Sequence, residues 1–284
     1  MSRMNTIDTK SSQVAYWTYG DSALQPLVMI HGFRGTHHGL ELIAKRLSSE
    51  FYVIVPDLPG FGDSPAFSNQ PHDLTGYTSF LADFIKHLNL SRRPYILGHS
   101  FGSIVVSSLV ASSNDITPKL VLINPIGAPA LEGPKAIMSR LALLYYRVGQ
   151  ALPSKLAHPW LAAKPIVWVM SRLMTKTRDK QLIKYIDEQH YTHFSRFSNS
   201  TSLSQAFETS ISHNIREFAA DIKIPTLMVV GEQDDITPLD KQRELAKLFP
   251  NVELKTIKDV GHLVHYETPD VAADYIRNFL QPNS

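Results

Sequence analysis

The chain has 284 residues, 43% of them apolar and 19% charged, enough to bury a large core in one α/β domain or one domain carrying an insertion, which excludes a disordered or fibrous protein. A formal net charge of +2, with no Lys/Arg block interleaved with aromatics, excludes a general attraction to nucleic acid. The lack of cysteine excludes disulfides and thiolate metal sites; the start MSRMNTIDTK has no signal-peptide core, and no apolar run nears the roughly 18 residues of a membrane helix, so a cytoplasmic protein is expected.

Residues 3–9 and 13–19, the latter reading QVAYWTY, form an alternating pair that predicts an antiparallel hairpin at a sheet edge. Strand-like runs follow at PLVMIHG (26–32), FYVIVPD (51–57), PYILGHS (94–100) and KLVLINP (119–125), then at PTLMVVGEQD (225–234) and VELKTIKDVGH (252–262). Runs apolar on both faces suit strands inside a parallel sheet. Helix-period segments separate them at 38–47, 73–90, 100–112, 239–249 and 268–280. Strand alternating with helix predicts a mostly parallel, eight-stranded sheet with helices on both faces.

The alternation stops near residue 127 and resumes near 224. Between them lie helical patterns such as PKAIMSRLALLYYRVGQAL (134–152) and KPIVWVMSRLM (164–174), with no convincing strand. We therefore expect a core of 1–126 and 214–284 and an inserted helical cap over 127–213. The cap holds eleven Lys/Arg and five Asp/Glu, about +6 by difference, leaving about −4 for the remainder of the +2 chain. Met138, Tyr145, Tyr146, Trp160, Trp168, Met170 and Met174 fall at helical spacings there and are expected mostly to form the cap's own core, with some facing a roofed, apolar pocket. The surplus of cations reads either as a solvated face or as an attraction for anionic amphiphiles or a membrane surface.

In an open parallel sheet, functional groups collect beyond the carboxyl ends of the strands. Four polar sequences fall at such ends: His31-Gly32-Phe33-Arg34, Gly98-His99-Ser100-Phe101-Gly102, Asp234-Asp235 and Gly261-His262. A tight strand-to-helix turn needs small residues two positions either side of its corner, as Gly98 and Gly102 provide around Ser100. The turn would lift the Ser100 hydroxyl to a helix N-terminus, where backbone N–H groups favour developing negative charge. Serine is a poor nucleophile until a base takes its proton and a third group orients the base. His262 is the candidate base and Asp234 the candidate orienter, in the order Ser, Asp, His.

Through HGFRG (31–35), PDLPGFGDSP (56–65), GHSFG (98–102), GEQDDITP (231–238) and GHLVHYETPD (261–270), the chain resembles the α/β-hydrolases over nearly its whole length. The resemblance implies an α/β-hydrolase fold with an inserted helical cap, Ser100 as nucleophile, Asp234 as acid and His262 as base. It further implies an oxyanion hole from the backbone N–H groups of Phe33 and Phe101. The spacing to Pro238 favours Asp234 over Asp235. The reaction expected is hydrolysis of a carboxylic ester or related acyl bond in a small molecule with an apolar portion, without cofactor or metal.

His31 and His99 are read as scaffold or site-wall residues that line a substrate site. Arg34 is read either as a grip on a substrate carboxylate or phosphate, or as a member of an ion pair. Asp57 and Asp63 are read as turn residues. His262, His265 and Glu267 lack the spacing of a metal site. A carbon–carbon bond hydrolase of ring-cleavage products uses the same triad, but HGFRGT departs from the HGxGPG loop of that group. A slow-turnover receptor on the same fold is the alternative from a different functional class. Oligomeric state is left open by these residues.

Overall fold

Runs that are apolar on both faces are satisfied only in a sheet covered on two sides, and the computed structural model, which describes residues 2–131 and 136–281, shows such a sheet. In chain order its first half is β1 (Arg3–Asp8), β2 (Gln13–Tyr19), β3 (Gln25–Ile30), α1 (His37–Leu47), β4 (Phe51–Pro56), α2 (Leu74–His87), β5 (Tyr95–His99), α3 (Phe101–Ser112) and β6 (Leu120–Ile123). Five helices follow before the next strand: α4 (Ala136–Ala151), α5 (Ser154–Leu161), α6 (Lys164–Met174), α7 (Lys180–His193) and α8 (Ser200–Ser212). The sheet resumes with β7 (Thr226–Gly231), α9 (Leu239–Ala246) and β8 (Val252–Ile257), and the chain closes with α10 (Val264–Glu267) and α11 (Pro269–Leu280). The helical pattern read from residue 134 begins on two residues, 134 and 135, that lie outside the described residues.

The eight strands run in the order β1-β2-β4-β3-β5-β6-β7-β8. β1 pairs antiparallel with β2, and β2 antiparallel with β4; every later pairing is parallel. Alternate residues of β3 feed opposite layers: Val28 and Ile30 pack with α2, α3 and Leu245 of α9, whereas Leu27 and Met29 pack with α1 and α11. From β3 the chain moves outward to β4, then returns to lay β5 on the other side of β3. That reversal opens a crevice beyond the carboxyl ends of β3 and β5.

The α4–α8 insertion is fastened to the loops at this edge by main-chain bonds. Phe197 bridges Phe61, the Gly62 N–H donates to the Arg196 carbonyl at 2.8 Å, and the Ser198 N–H donates to the Gly60 carbonyl at 2.9 Å. Its apolar interior is continuous with one core layer through Tyr146, Leu161, Phe197 and Leu203. Not all its large side chains join that interior. Met138, Trp160 and Trp168, expected as part of the cap's own core, are 63%, 44% and 49% exposed, because α4, α5 and α6 each bury one side only, through Tyr146, Leu161 and Val167 respectively.

The main side-chain pin is Arg34, 1% exposed and at φ 58°. Its Nε donates to the Phe194 carbonyl at 2.9 Å, one terminal nitrogen to the Leu161 carbonyl at 2.9 Å, and the other to the Tyr146 hydroxyl at 3.3 Å. The guanidinium carbon sits 5.7 Å from the centre of the Phe197 ring. A buried cation needs its donors satisfied, and carbonyls do that here. Arg34→Met should therefore lower unfolding stability by about 2–4 kcal/mol, since each orphaned buried carbonyl costs about 1–3 kcal/mol. Trypsin should also cut within 136–196 faster than in the parent. An unchanged urea midpoint with an unchanged digestion pattern contradicts the pin.

Candidate active site

Ser100 occupies the corner between β5 and α3 with φ 52° and ψ −121°, a conformation that serine rarely adopts. Its glycine frame is sterically required. A Cβ at Gly102 would lie 2.4 Å from the Ile30 carbonyl oxygen and 2.6 Å from that of His31; one at Gly98 would lie 2.6 Å from the Val106 side chain. The corner is further held by the Ser100 N–H, which donates to the Ile123 carbonyl at 3.1 Å, and by the Ser103 hydroxyl, which donates to the Ser100 carbonyl.

At this corner the Ser100 hydroxyl lies 2.9 Å from His262 Nε2, and His262 Nδ1 lies 2.7 Å from Asp234 Oδ2. His262 and Asp234 are buried, at 4% and 3% exposure. The Asp234 carboxylate also accepts from the Thr237 hydroxyl at 2.5 Å, the Thr237 N–H at 3.0 Å and the Ile236 N–H at 2.7 Å. Burial pushes its pKa up, but the adjacent His262 and the hydrogen bonds from His262 and Thr237 outweigh that and bring it down to about 2. A carboxylate held ionised against Nδ1 selects the tautomer in which Nε2 is free to accept a proton. Asp235 points away and pairs with Lys176 of the insertion.

Phe101 is the first residue of α3, so its N–H is among those a helix leaves without an internal partner, and Phe33 lines the cavity beside Ser100. That cavity measures about 60 Å³ and is walled by His31, His99 and His265 from the core and by Met174, His193 and Phe194 from the insertion. A few hundred Å³ is usual for a small-molecule site, so this cavity is small, and the insertion supplies part of its wall. His31 lies in the wall but its ring is occupied, with Nδ1 2.8 Å from the Gly32 carbonyl and Nε2 accepting from the Leu58 N–H at 2.9 Å. His99 packs edge-on to His265, with ring centres 4.3 Å apart. Arg34 is absent from the cavity wall, all three of its nitrogens being bonded to the insertion.

Asp57 is fully buried and organises the loop beyond β4, taking the His37 N–H at 2.7 Å, His37 Nδ1 at 3.0 Å and the Asp63 N–H at 2.9 Å. Asn124, which the sequence reading passed over, links the two halves of the candidate triad. It is fully buried with φ 41°, at the end of β6. Its amide nitrogen donates to the carbonyls of Gly261 at 3.1 Å and His262 at 2.9 Å, and its amide oxygen accepts from the Gly231 N–H at 2.8 Å. The available signal was an asparagine, tolerant of positive φ, closing an apolar strand just before a proline. Among the described residues no group of three or more His, Cys, Asp or Glu is placed to hold a metal ion.

A family model described as the alpha/beta hydrolase fold matches residues 25–269. Lipase 1 of Psychrobacter immobilis is 24% identical over 94% of this chain and 80% of its own length, and an uncharacterised hydrolase of Bacillus subtilis, YugF, is 24% identical over 94% of each. Among solved structures, an esterase from Thermogutta terrifontis superposes with a TM-score of 0.78 at 23% identity, covering 98% of each chain. The enol-lactonase of Burkholderia xenovorans superposes with a TM-score of 0.82 at 16% identity over 97% of this chain and 99% of its own. These two structural likenesses speak to the fold alone.

The buried histidines make stability pH-dependent. Burial, reinforced by the neighbouring His262, lowers the pKa of His99 to about 3, and burial lowers that of His190 to about 3 as well. Below about pH 6.5 the unfolded chain takes up protons at these rings that the folded chain refuses until near pH 3, so stability falls as pH falls through that window. The urea midpoint should drop steadily from pH 6.5 to 4.5. In His190→Leu, which removes a ring with no hydrogen-bond partner among the described residues, the accompanying fall in unfolding free energy should be shallower by about 1 kcal/mol per pH unit. A midpoint that is flat or rises on acidification contradicts this.

Proposed function

The chain belongs to the α/β-hydrolase fold family, and from that premise we propose that it is a serine hydrolase cleaving a carboxylic ester or related acyl bond in a substrate with an apolar portion. The observation that carries the reading is the continuous hydrogen-bonded line from the Ser100 hydroxyl through His262 to the ionised Asp234, set at a strained strand-to-helix corner. Its counterpart in the comparisons is the set of relatives that bear esterase or lipase names, at identities near 24%.

In the proposed reaction Ser100 Oγ attacks the carbonyl carbon while its proton passes to His262 Nε2. The tetrahedral oxyanion rests on the N–H groups of Phe33 and Phe101, each such donor being worth about 3–4 kcal/mol in the transition state. Collapse breaks the acyl–oxygen bond, and the alcohol leaves with the proton from His262. A water then loses a proton to His262, attacks the acyl-serine, and restores the hydroxyl of Ser100. Asp234 stays ionised throughout and stabilises the imidazolium.

The 60 Å³ cavity bears on the substrate. An acyl group longer than a few carbons requires Met174, His193 or Phe194 to yield, whereas short acyl groups fit with little change. We therefore take the cap, 127–213, as the part that sets acyl length.

Ser100→Ala should cut turnover of p-nitrophenyl acetate and butyrate by at least about 1,000-fold with an unchanged circular dichroism spectrum. Retained turnover sinks the assignment of the nucleophile. Asn124→Leu removes the amide's bonds to the Gly261 and His262 carbonyls and to the Gly231 N–H, so kcat should fall about 10- to 100-fold with KM within about twofold, as expected when a base is displaced but the pocket is kept. Equal losses in both parameters, or none, contradict the positioning role of Asn124.

A further inference from the structure

Within the insertion, the outward side carries an unusual concentration of large apolar groups. On α4, Ile137, Leu141, Leu144 and Val148 recur at intervals of four, three and four, which aligns them in one stripe, with Met138 at its border; their exposures run from 38% to 67%. α5 adds Leu156 and Trp160, one turn apart, and α6 adds Trp168, Val169 and Leu173, all exposed. α4 and α5 are locked together: the Tyr145 hydroxyl donates to the Trp160 carbonyl at 2.8 Å and the Trp160 indole N–H donates back to the Tyr145 carbonyl at 3.3 Å. Isolated exposed apolar residues need no explanation; a stripe reinforced by two exposed tryptophans does.

The charge of the same segment says what covers it. From residue 136 to 178 the sequence holds seven Lys/Arg and no Asp/Glu. Arg147, Arg172 and Lys176 pair with Glu208, Asp187 and Asp235, all outside the segment. Arg140, Lys155, Lys164 and Arg178 are exposed and, among the described residues, have no ion-pair partner. Arg140 and Arg147 follow the α4 stripe along one flank, where long side chains can lay their stems on the apolar surface and keep their charges outward. Apolar stripe, interfacial tryptophans and cations without acids are the combination that seats a helix in the headgroup layer of an anionic bilayer. A second copy of the chain is a poor occupant, because it would bring the same unopposed positive charge to the contact.

We propose that the outward face of α4–α6 is a docking surface for anionic lipid bilayers, with Leu141, Leu144, Trp160 and Trp168 entering the headgroup region and Arg140, Lys155 and Lys164 meeting the lipid phosphates. None of these side chains lines the cavity at Ser100, so docking does not rest on which bond Ser100 attacks. Each cation near an anionic surface contributes roughly a fivefold gain in partitioning, and the effect is screened by salt.

The test is sedimentation with vesicles of phosphatidylcholine alone and of phosphatidylcholine with 30% phosphatidylglycerol, using Ser100→Ala protein so that lipid breakdown plays no part. The anionic vesicles should bind the protein at least about tenfold better than the neutral ones, and raising NaCl from 0.05 to 0.5 M should remove most of that gain. Leu141→Asp/Leu144→Asp should abolish binding. Arg140→Glu/Lys155→Glu/Lys164→Glu, surface changes that leave the core untouched, should erase the preference for anionic lipid. In the Ser100-intact background both variants should turn over p-nitrophenyl acetate as the parent does, so a failed docking surface and a failed catalytic reading are told apart. Equal binding of parent and both variants, no binding to anionic vesicles, or a concentration-dependent dimer lost in the Leu141/Leu144 variant each overturns the proposal.

Discussion

The contact on which the site depends is the approach of the α3 N-terminus to the end of β3. Gly102 lies so close to the Ile30 and His31 carbonyls that any side chain would collide with them. With α3 held there, the chain leaving β5 has no room for an ordinary turn, and Ser100 is forced to positive φ. The same corner makes Phe101, directly after the serine, the first residue of α3. Position, exposure and electrostatic surroundings of the Ser100 hydroxyl thus follow from one packing constraint, which is why the glycines matter as much as the polar residues around them.

Three residues with positive φ, Arg34, Ser100 and Asn124, cluster at the carboxyl edge of the sheet. Each belongs to a backbone conformation costing of order 1–3 kcal/mol, and each is over-determined by its hydrogen bonds. Arg34 is held by two carbonyls and a hydroxyl of the insertion, Asn124 by three backbone groups from two loops, and Ser100 by the β6 carbonyl and His262. Asn124 shows how coupling is achieved between distant stretches of chain. One amide joins the end of β7, three residues before Asp234, to the carbonyl of His262 itself.

The sheet was legible in the sequence because its strands are apolar on both faces, a pattern that few other environments accept. The N-terminal hairpin, the strand positions and the helices of the core lie within a few residues of where periodicity put them. Ser100, Asp234 and His262 were legible because each follows a strand, and the structure brings the three side chains to hydrogen-bonding distance. What periodicity could not resolve was the partner of each side chain. Arg34 beside the HG loop suggested substrate or an ion pair; its actual partners, Phe194, Leu161 and Tyr146, are more than a hundred residues away and two of them offer only main-chain oxygen. Met138, Trp160 and Trp168 read as core by spacing, because a helix buried on one side and a helix with a second apolar side share the same local pattern. Asn124 was hidden because its work is done by an amide on backbone groups, which leaves no motif.

Acyl transfer through Ser100 requires it to be an activated nucleophile, and reaction with a fluorophosphonate reads that property directly. Intact-mass and peptide analysis of the labelled protein should show one adduct, on the peptide containing Ser100, formed within minutes and slowed at least about 100-fold in His262→Ala. No adduct despite tight binding of an apolar small molecule, or an adduct on any other residue, contradicts the account and favours a ligand receptor built on the same fold.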